Sequence, residues 1–384
     1  MTKLYRKVIL VLLSLGLLTG CWDGKTIEHM LYVSGLGIGY ENEELVVYAR
    51  FIELENVGKQ EGGGGPSEDK PIWIAKGTGK TFDIATDDLY YTSQLPISWA
   101  HLGEIVITTE ALKQDGIINE VMDVLNRYSE TRSEVILHAT KEELPLVAQG
   151  RPILGTSTWY SKVNNPYPVF RQFSLVRPIT SRQYLIDQEE PGKVLDIPML
   201  SLDKSKWQRG EEPHPTVEFG GSAFVYKGKF KGSLPVEEER GIRWMQEESQ
   251  RVPLYLFNSK KDYASIVFTS PSVDITPEIK GEEVTVSVDV KVKGSIIENP
   301  FYQDEKTLEK DAEEEIKKQI KDTYKYALEK NIDVYQFAYH VYKKHPEKFK
   351  ELGIEDKDWL KPETFENLNV QVSIVSSGKL KINK

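Results

Sequence analysis

Cys21 is the only cysteine in a chain of 384 residues. Without a second thiol the chain can form no intrachain disulfide, no thiolate zinc cage and no CxxC redox couple. Its sulfur is left with chemistry that needs one nucleophile, such as accepting a lipid group. The next candidate is Gly77-Thr78-Gly79-Lys80-Thr81, which ends like a phosphate-binding loop. Such a loop requires G-x-x-x-x-G-K-[ST], yet position 74 is Ile74, and the sequence shows no apolar strand immediately ahead of it. The stretch SGLGIG, residues 34–39, has part of a dinucleotide-binding glycine pattern, but it lies inside a strand pattern with no helix behind it. Those glycines are expected to permit close backbone approach or a bulge. Six histidines at 29, 101, 138, 214, 340 and 345 form no HExxH or comparable metal spacing. His101 and Glu104 could face one another, with no third ligand in reach, whereas His138 falls in an apolar strand and reads as a core residue. No G-x-S-x-G elbow occurs. Glu237, Glu238 and Glu239 sit at an expected helix start, where acids complement the dipole. No catalytic residue, metal ligand or cofactor is therefore expected.

The surroundings of Cys21 supply its chemistry. Lys3, Arg6 and Lys7 precede Val8 to Leu18, which carries no charge, giving a basic region followed by an apolar run of signal-peptide length. The run is too short for an ordinary membrane span, which needs about 20 apolar residues. Leu18-Thr19-Gly20-Cys21 resembles the lipobox of bacterial lipoproteins, which implies cleavage between Gly20 and Cys21 and acylation of Cys21. A plain secretory signal with a chance cysteine, or an uncleaved anchor, is the bland alternative. Removing residues 1–20 leaves 364 residues and takes away three cations and no acid, so the formal charge moves from −10 to −13. Two acyl chains would provide the double signal that stable anchoring requires. The acidic balance argues against a nucleic-acid surface.

Composition is that of a folded, water-soluble body, with 39% hydrophobic and 28% charged residues and a mean hydropathy of −0.42. Leu31 to Gly39 and Leu45 to Leu54 read as strands around a polar turn, Glu41 to Glu44. The tetraglycine stretch within residues 58–71 reads as a loop. GEIVITT at 103–109, helices over Thr109 to Gln114 and Gly116 to Arg127, then EVILHAT at 134–140, follow βαβ grammar. Thr140 to Glu143 fits a capping box opening a further helix. From Gly150 to about Pro215 the proline- and aromatic-rich chain reads as an extended traverse to a new unit, with a hairpin at Lys227-Gly228 and a helix over Pro235 to Ser249. Valine at alternate positions of 284–292 predicts a strand with one buried face. Leu308, Ala312, Ile316, Ile320, Tyr324 and Leu328 predict a helix with one apolar stripe, followed by a helix capped by Asp333 and further strands at 370–374 and 380–382. The expected fold class is mixed α/β and α+β, a three-domain mature protein with mixed and antiparallel sheets flanked by helices. The expected divisions are a signal peptide at 1–20, an N-terminal α/β domain at 21–200, a middle α+β domain at 201–272 and a C-terminal α+β domain at 273–384. Proline-rich joints make relative motion of these units the default expectation.

Several strings resemble one family. CWDGKTIEHMLYVSGLGIGYE at 21–41, GTGKTFDIATDDL at 77–89, WAHLGEIVITTEALKQDGIINEVMDVLNR at 99–127, GGSAFVYKGKFKGSLPVEEERGIRWM at 220–245 and DVYQFAYHVYKKHPEKFKEL at 333–352, followed by Asp358-Trp359, are similar to the spore germination receptor C-subunit lipoproteins. That resemblance implies a non-catalytic, lipid-anchored subunit of a nutrient germinant receptor, on the outer face of the spore inner membrane. It implies integral membrane A and B subunits as partners, one of them transporter-like and better suited than this chain to hold the small germinant, so direct germinant binding here is not expected. It also implies three unusual mixed α/β domains. Trp22 and Asp23 match the family motif without an assigned role, while Gly24 and Lys25 and the tetraglycine loop depart from it. The alternatives are a solute-binding lipoprotein that captures a small nutrient for a transporter and, with least support, a surface hydrolase.

Overall fold

The computed structural model describes residues 5, 29–52, 72–150, 153, 158–257, 263–300, 304–355 and 359–376. Cys21, Gly20, Trp22, Asp23, the tetraglycine stretch and residues 380–382 lie outside them. The chain enters its first sheet as a hairpin. β1 (Leu31–Glu41) and β2 (Glu44–Ile52) pair antiparallel, and Asn42 and Glu43 turn with φ of 50° and 64°. Two left-handed residues are what a tight hairpin needs to match strand twist. β3 (Ile74–Gly79) then pairs with β2, α1 (Phe82–Thr92) folds back, and β4 (Ile97–Ser98) pairs with the start of β1. β5 (Glu104–Thr108), α2 (Thr109–Leu112), α3 (Ile117–Arg127) and β6 (Ile136–Thr140) complete the expected crossover. α4 (Leu144–Ala148), α5 (Tyr167–Gln172), β7 (Ile179–Thr180) and α6 (Ser181–Asp187) lead to β8 (Leu195–Asp203). A two-residue ladder, β9 (Gln208–Arg209) with β10 (Glu212–Pro213), precedes β11 (Thr216–Tyr226) and β12 (Lys229–Pro235). The order is β12-β11-β8-β6-β5-β1-β2-β3, with β1, β5, β6 and β8 parallel at the centre and antiparallel flanks.

Alternation decides which face each residue serves. Leu137 and Ala139 of β6 join Phe82, Ala85, Val121 and Met122 of α1 and α3 in one apolar cluster. The opposite face buries Val106, Leu144, Val147, Leu200 and Val217 under α4. The three glycines of β1 share that second face. A Cβ on Gly37 or Gly39 would stand 3.1 or 3.3 Å from the Leu144 side chain. A bare strand face therefore lets α4 settle onto the sheet, and a bulge between Val33 and Gly35 accompanies it.

The second sheet has the order β13-β14-β15-β16, from β13 (Val252–Phe257), β14 (Tyr263–Lys280), β15 (Glu283–Glu298) and β16 (Phe365–Ser376). Val286, Val288, Val290 and Val292 are buried as the alternation predicts. They meet Leu308, Ala312, Ile316 and Ile320 of α7 (Glu305–Glu329), whose first turn is capped by Asp304. Each fully buried valine or isoleucine there contributes about 1.5–3 kcal/mol relative to exposure. α8 (Phe337–Lys344) and α9 (Pro346–Glu351) close the hairpin end.

Four sequence expectations differ from the fold. The traverse at 150–215 contains β8, which pairs with β6 and β11, so a division at 200/201 falls inside a strand, and one at 272/273 falls inside β14. Pro198 stands within β8, opposite Ser222 of β11. It is tolerated because β6 pairs with β8 only at Met199 and Leu200. Pro235 to Ser249 is not a helix; Pro235 ends β12, and Ile242–Trp244 forms a single 3-10 turn. That segment buries Glu239, Ile242, Arg243, Trp244 and Ser249 while Glu237, Arg240, Glu247 and Glu248 stay exposed. Thr140 opens no capping box, since its hydroxyl donates to the Leu200 carbonyl at 2.9 Å and α4 begins only at Leu144. Asp333 does cap, but four residues ahead, accepting from the amides of Phe337 and Ala338.

Candidate functional site

The chemistry-bearing residues scatter through the fold. GTGKT overlaps the end of β3, whose last three residues are Gly77, Thr78 and Gly79, and leads into α1. Its glycines nevertheless serve packing. A Cβ on Gly77 would come within 2.2 Å of the Ala85 carbonyl oxygen, and one on Gly79 within 2.6 Å of the Ala85 nitrogen. The Thr81 hydroxyl caps α1 by accepting from the Ile84 amide, and Asp88 accepts from the Thr78 amide.

His101 and Glu104 do not form a pair. His101 stacks edge-on against Tyr32 at 4.7 Å, while Glu104 forms an ion pair with Arg50 of β2 at 2.8 Å, both side chains buried. Arg50 also donates to Ser34 at 3.1 Å. Burial pushes Glu104 above the usual carboxylate range, and the Arg50 charge opposes it. A Cβ on Gly35 would lie 2.6 Å from a Glu104 oxygen, so the missing side chain makes room for the pair. No signal in the local sequence links Arg50 to Glu104.

His138 is buried in β6, as expected of a core residue, and its Nε2–H donates to the Val163 carbonyl at 2.8 Å. Burial lowers it to about 4, which keeps the ring neutral. Glu237, Glu238 and Glu239 start no helix. Glu238 pairs with Lys330 at 3.0 Å, whereas Glu239 is buried and held well above the usual range by burial, with Ser222 opposing.

A wide concavity opens where the parallel strands end. It has a volume of about 1150 Å³ and is lined by Gly39–Glu41, Thr108–Glu110, Lys141–Pro145 and Met199–Ser201, with Lys330 from the second unit. Between β1 and β5 the connections leave in opposite directions, which is where open sheets of this kind place ligands. Many of its charges are already paired: Lys76 with Glu41, Lys113 with Glu110, and Lys330 with Glu238. No histidine or cysteine lines it, and among the described residues no group of His, Cys, Asp or Glu could hold a metal ion. The cleft offers hydrogen-bonding groups and charges of both signs.

Comparison with known proteins shows the family to which the chain is similar. Residues 23–201 match the family described as spore germination protein N-terminal domain, and residues 220–378 match spore germination B3/GerAC like, C-terminal. Among curated relatives, spore germination protein KC of Bacillus subtilis (strain 168) is 24% identical over 380 residues, covering 92% of this chain and 91% of that protein. Spore germination protein YndF of the same organism is 21% identical over 335 residues, covering 78% of this chain and 77% of that protein. The crystal structure of the GerBC protein aligns with a TM-score of 0.54 at 14% identity, covering 89% of this chain and 97% of that one, a likeness of fold.

Proposed function

Because the chain belongs to the GerAC-like family of spore germination proteins, we propose that it is the lipid-anchored, non-catalytic C subunit of a nutrient germinant receptor. The observation that carries this reading is the succession of both family domains, in order, along 23–201 and 220–378. In the same reading the subunit sits on the outer face of the spore inner membrane beside integral A and B subunits, attached through acylated Cys21 after cleavage behind Gly20. Support for the anchor comes from Lys3, Arg6 and Lys7, the apolar run Val8 to Leu18 and the Leu18-Thr19-Gly20-Cys21 box. No described helix is long and apolar enough to cross a membrane. Attachment would then depend on lipid, and two acyl chains hold where one does not.

A Cys21→Ala chain expressed in sporulating cells tests the anchor. Acyl mass should vanish from the protein, the chain should leave the membrane fraction, and nutrient-triggered germination should fall. Full retention in the membrane together with full germination would refute the anchoring role.

A further inference from the structure

We propose that the free edge of β16 is a docking surface for the same strand of a second copy of this chain, held closed in the single chain by Glu309 and Glu313 of α7. β16 lies last in its sheet and pairs with β15 alone. The ladder between them runs without a shift from Asn367 to Ile374, so backbone N–H and C=O groups turn to alternate sides along that stretch. The Val372 amide donates to Glu313 at 3.1 Å and the Ile374 amide to Glu309 at 2.8 Å. Even-numbered residues therefore turn their backbone away from β15. Leu368 and Val370 do the same, and among the described residues nothing accepts from their amides. Spacing explains the closure, since four residues of helix rise about 6 Å and two residues of strand span about 6.6 Å. Two acids four apart thus match two amides two apart. The match stops where the acids stop: Lys317 and Lys321 continue the row toward Val370 and Leu368, and an ammonium group has no acceptor to offer.

An edge in this state invites a strand. Residues 367–375 carry no charge and no proline, and they include Val370, Val372, Ile374 and Val375. Uncharged, β-branched segments of this kind pair edge to edge unless something covers them. The order of charges along α7 selects a second copy as the occupant. An antiparallel two-fold axis through Gln371 sets Val372 and Ile374 opposite Val370 and Leu368 of the second copy, so that every facing residue presents its backbone to the other strand. Glu313 and Glu309, released from the amides, then face Lys317 and Lys321 across the axis. Charges arranged in this way fix register more than they add strength. On the open face of the sheet the same register brings Asn369 opposite Ser373 and Gln371 opposite its own counterpart, with no like charges to oppose the pairing.

Light scattering of the full chain in detergent, with the detergent mass subtracted, tests the closure. The unaltered chain should have the mass of one copy. Replacing both acids, Glu309→Ala with Glu313→Ala, should move the mass to two copies as concentration rises, and hydrogen exchange at Leu368 and Val370 should slow in step. The pair Glu309→Gln and Glu313→Gln keeps both acceptors and should stay at one copy. Adding Gln371→Lys to the alanine pair sets two ammonium groups together on the axis and should return the mass to one copy. Should the alanine pair fail to fold, Glu313→Ala alone, which keeps one cap, should still pair at higher concentration. A folded alanine variant that stays at one copy overturns the proposal. So does a dimer in which Leu368 and Val370 exchange as fast as in the single chain, or one that survives Gln371→Lys. A glutamine pair that associates as readily as the alanine pair, or an unaltered chain already joined through β16, overturns the role of the two acids.

Discussion

Arg50 and Glu104 form a buried ion pair that the sheet cannot lose on one side. Both side chains are 5% exposed, and the arginine's second link goes to Ser34. Glu104→Ala leaves a guanidinium stranded under α4, and breaking a buried pair in this way costs about 3–5 kcal/mol. The urea midpoint of the soluble chain should fall accordingly, while Glu104→Gln, which keeps the volume and one acceptor, should fall less. Equal losses in the two variants would mean that packing rather than charge holds the site. The pair also marks what local reading misses. His138 could be placed in the core because its neighbours in EVILHAT are apolar. Glu104 was matched with His101 because the two are close in sequence. Its true partner is 54 residues away on β2, and nothing short of the strand register of β2-β1-β5 brings the two together. Gly35 was legible as a site of close approach, but what approaches it was not.

At the scale of elements, Asp333 governs how the chain turns from α7 into α8. Its carboxylate accepts from the amides of Phe337 at 2.9 Å and Ala338 at 2.7 Å, satisfying donors that a helix start leaves open. Burial nevertheless outweighs these bonds and pushes the group up to about 6. A carboxyl raised above its unfolded value of about 4 binds its proton more tightly in the fold, so its contribution to stability is complete below that value. It is lost as pH climbs through the folded value near 6. Asp333→Asn, which does not titrate, should therefore trail the wild type most at pH 4, and the gap should narrow by up to about 3 kcal/mol by pH 7. Paired urea titrations at the two pH values measure it; a gap independent of pH would show that the buried acid does not titrate in this window. The cap was readable from sequence because Asp precedes a helical pattern. The helix itself starts later than a simple cap would place it because Gln336 takes a left-handed φ of 57° first. Periodic elements such as α7 and β15 were equally readable, since period alone fixed their buried faces. The segment at 236–249 was not, because proline and acids at its start imitate a helix where the chain forms only the 3-10 turn Ile242–Trp244.

The whole molecule is joined through Trp244. The indole is fully buried, stands edge-on to Phe268 of β14 at 5.5 Å, and donates through Nε1 to Gln319 of α7 at 2.9 Å. Its apolar cluster also takes in Val194, Phe224 and Leu234, which belong to the first sheet and the loop that feeds it. Polar links run alongside: the Gly241 amide donates to the Thr323 hydroxyl, which donates in turn to the Glu238 carbonyl, and Lys330 reaches the Ser233 carbonyl. Two units that bury the same side chains pay for separation in exposed apolar surface, so the independent motion anticipated from proline-rich joints is opposed at this junction. Calorimetry of the soluble chain should show one unfolding transition covering both sheets. Trp244→Ala removes the indole and its hydrogen bond, a loss of about 3–5 kcal/mol for a buried aromatic, drawn from the second sheet and the junction. In that variant the β13-β14-β15-β16 sheet should melt first, and hydrogen exchange should accelerate in β14 and β15 before it does in β1 and β5. Two well-separated transitions in the unaltered chain would show that the shared core does not couple the sheets.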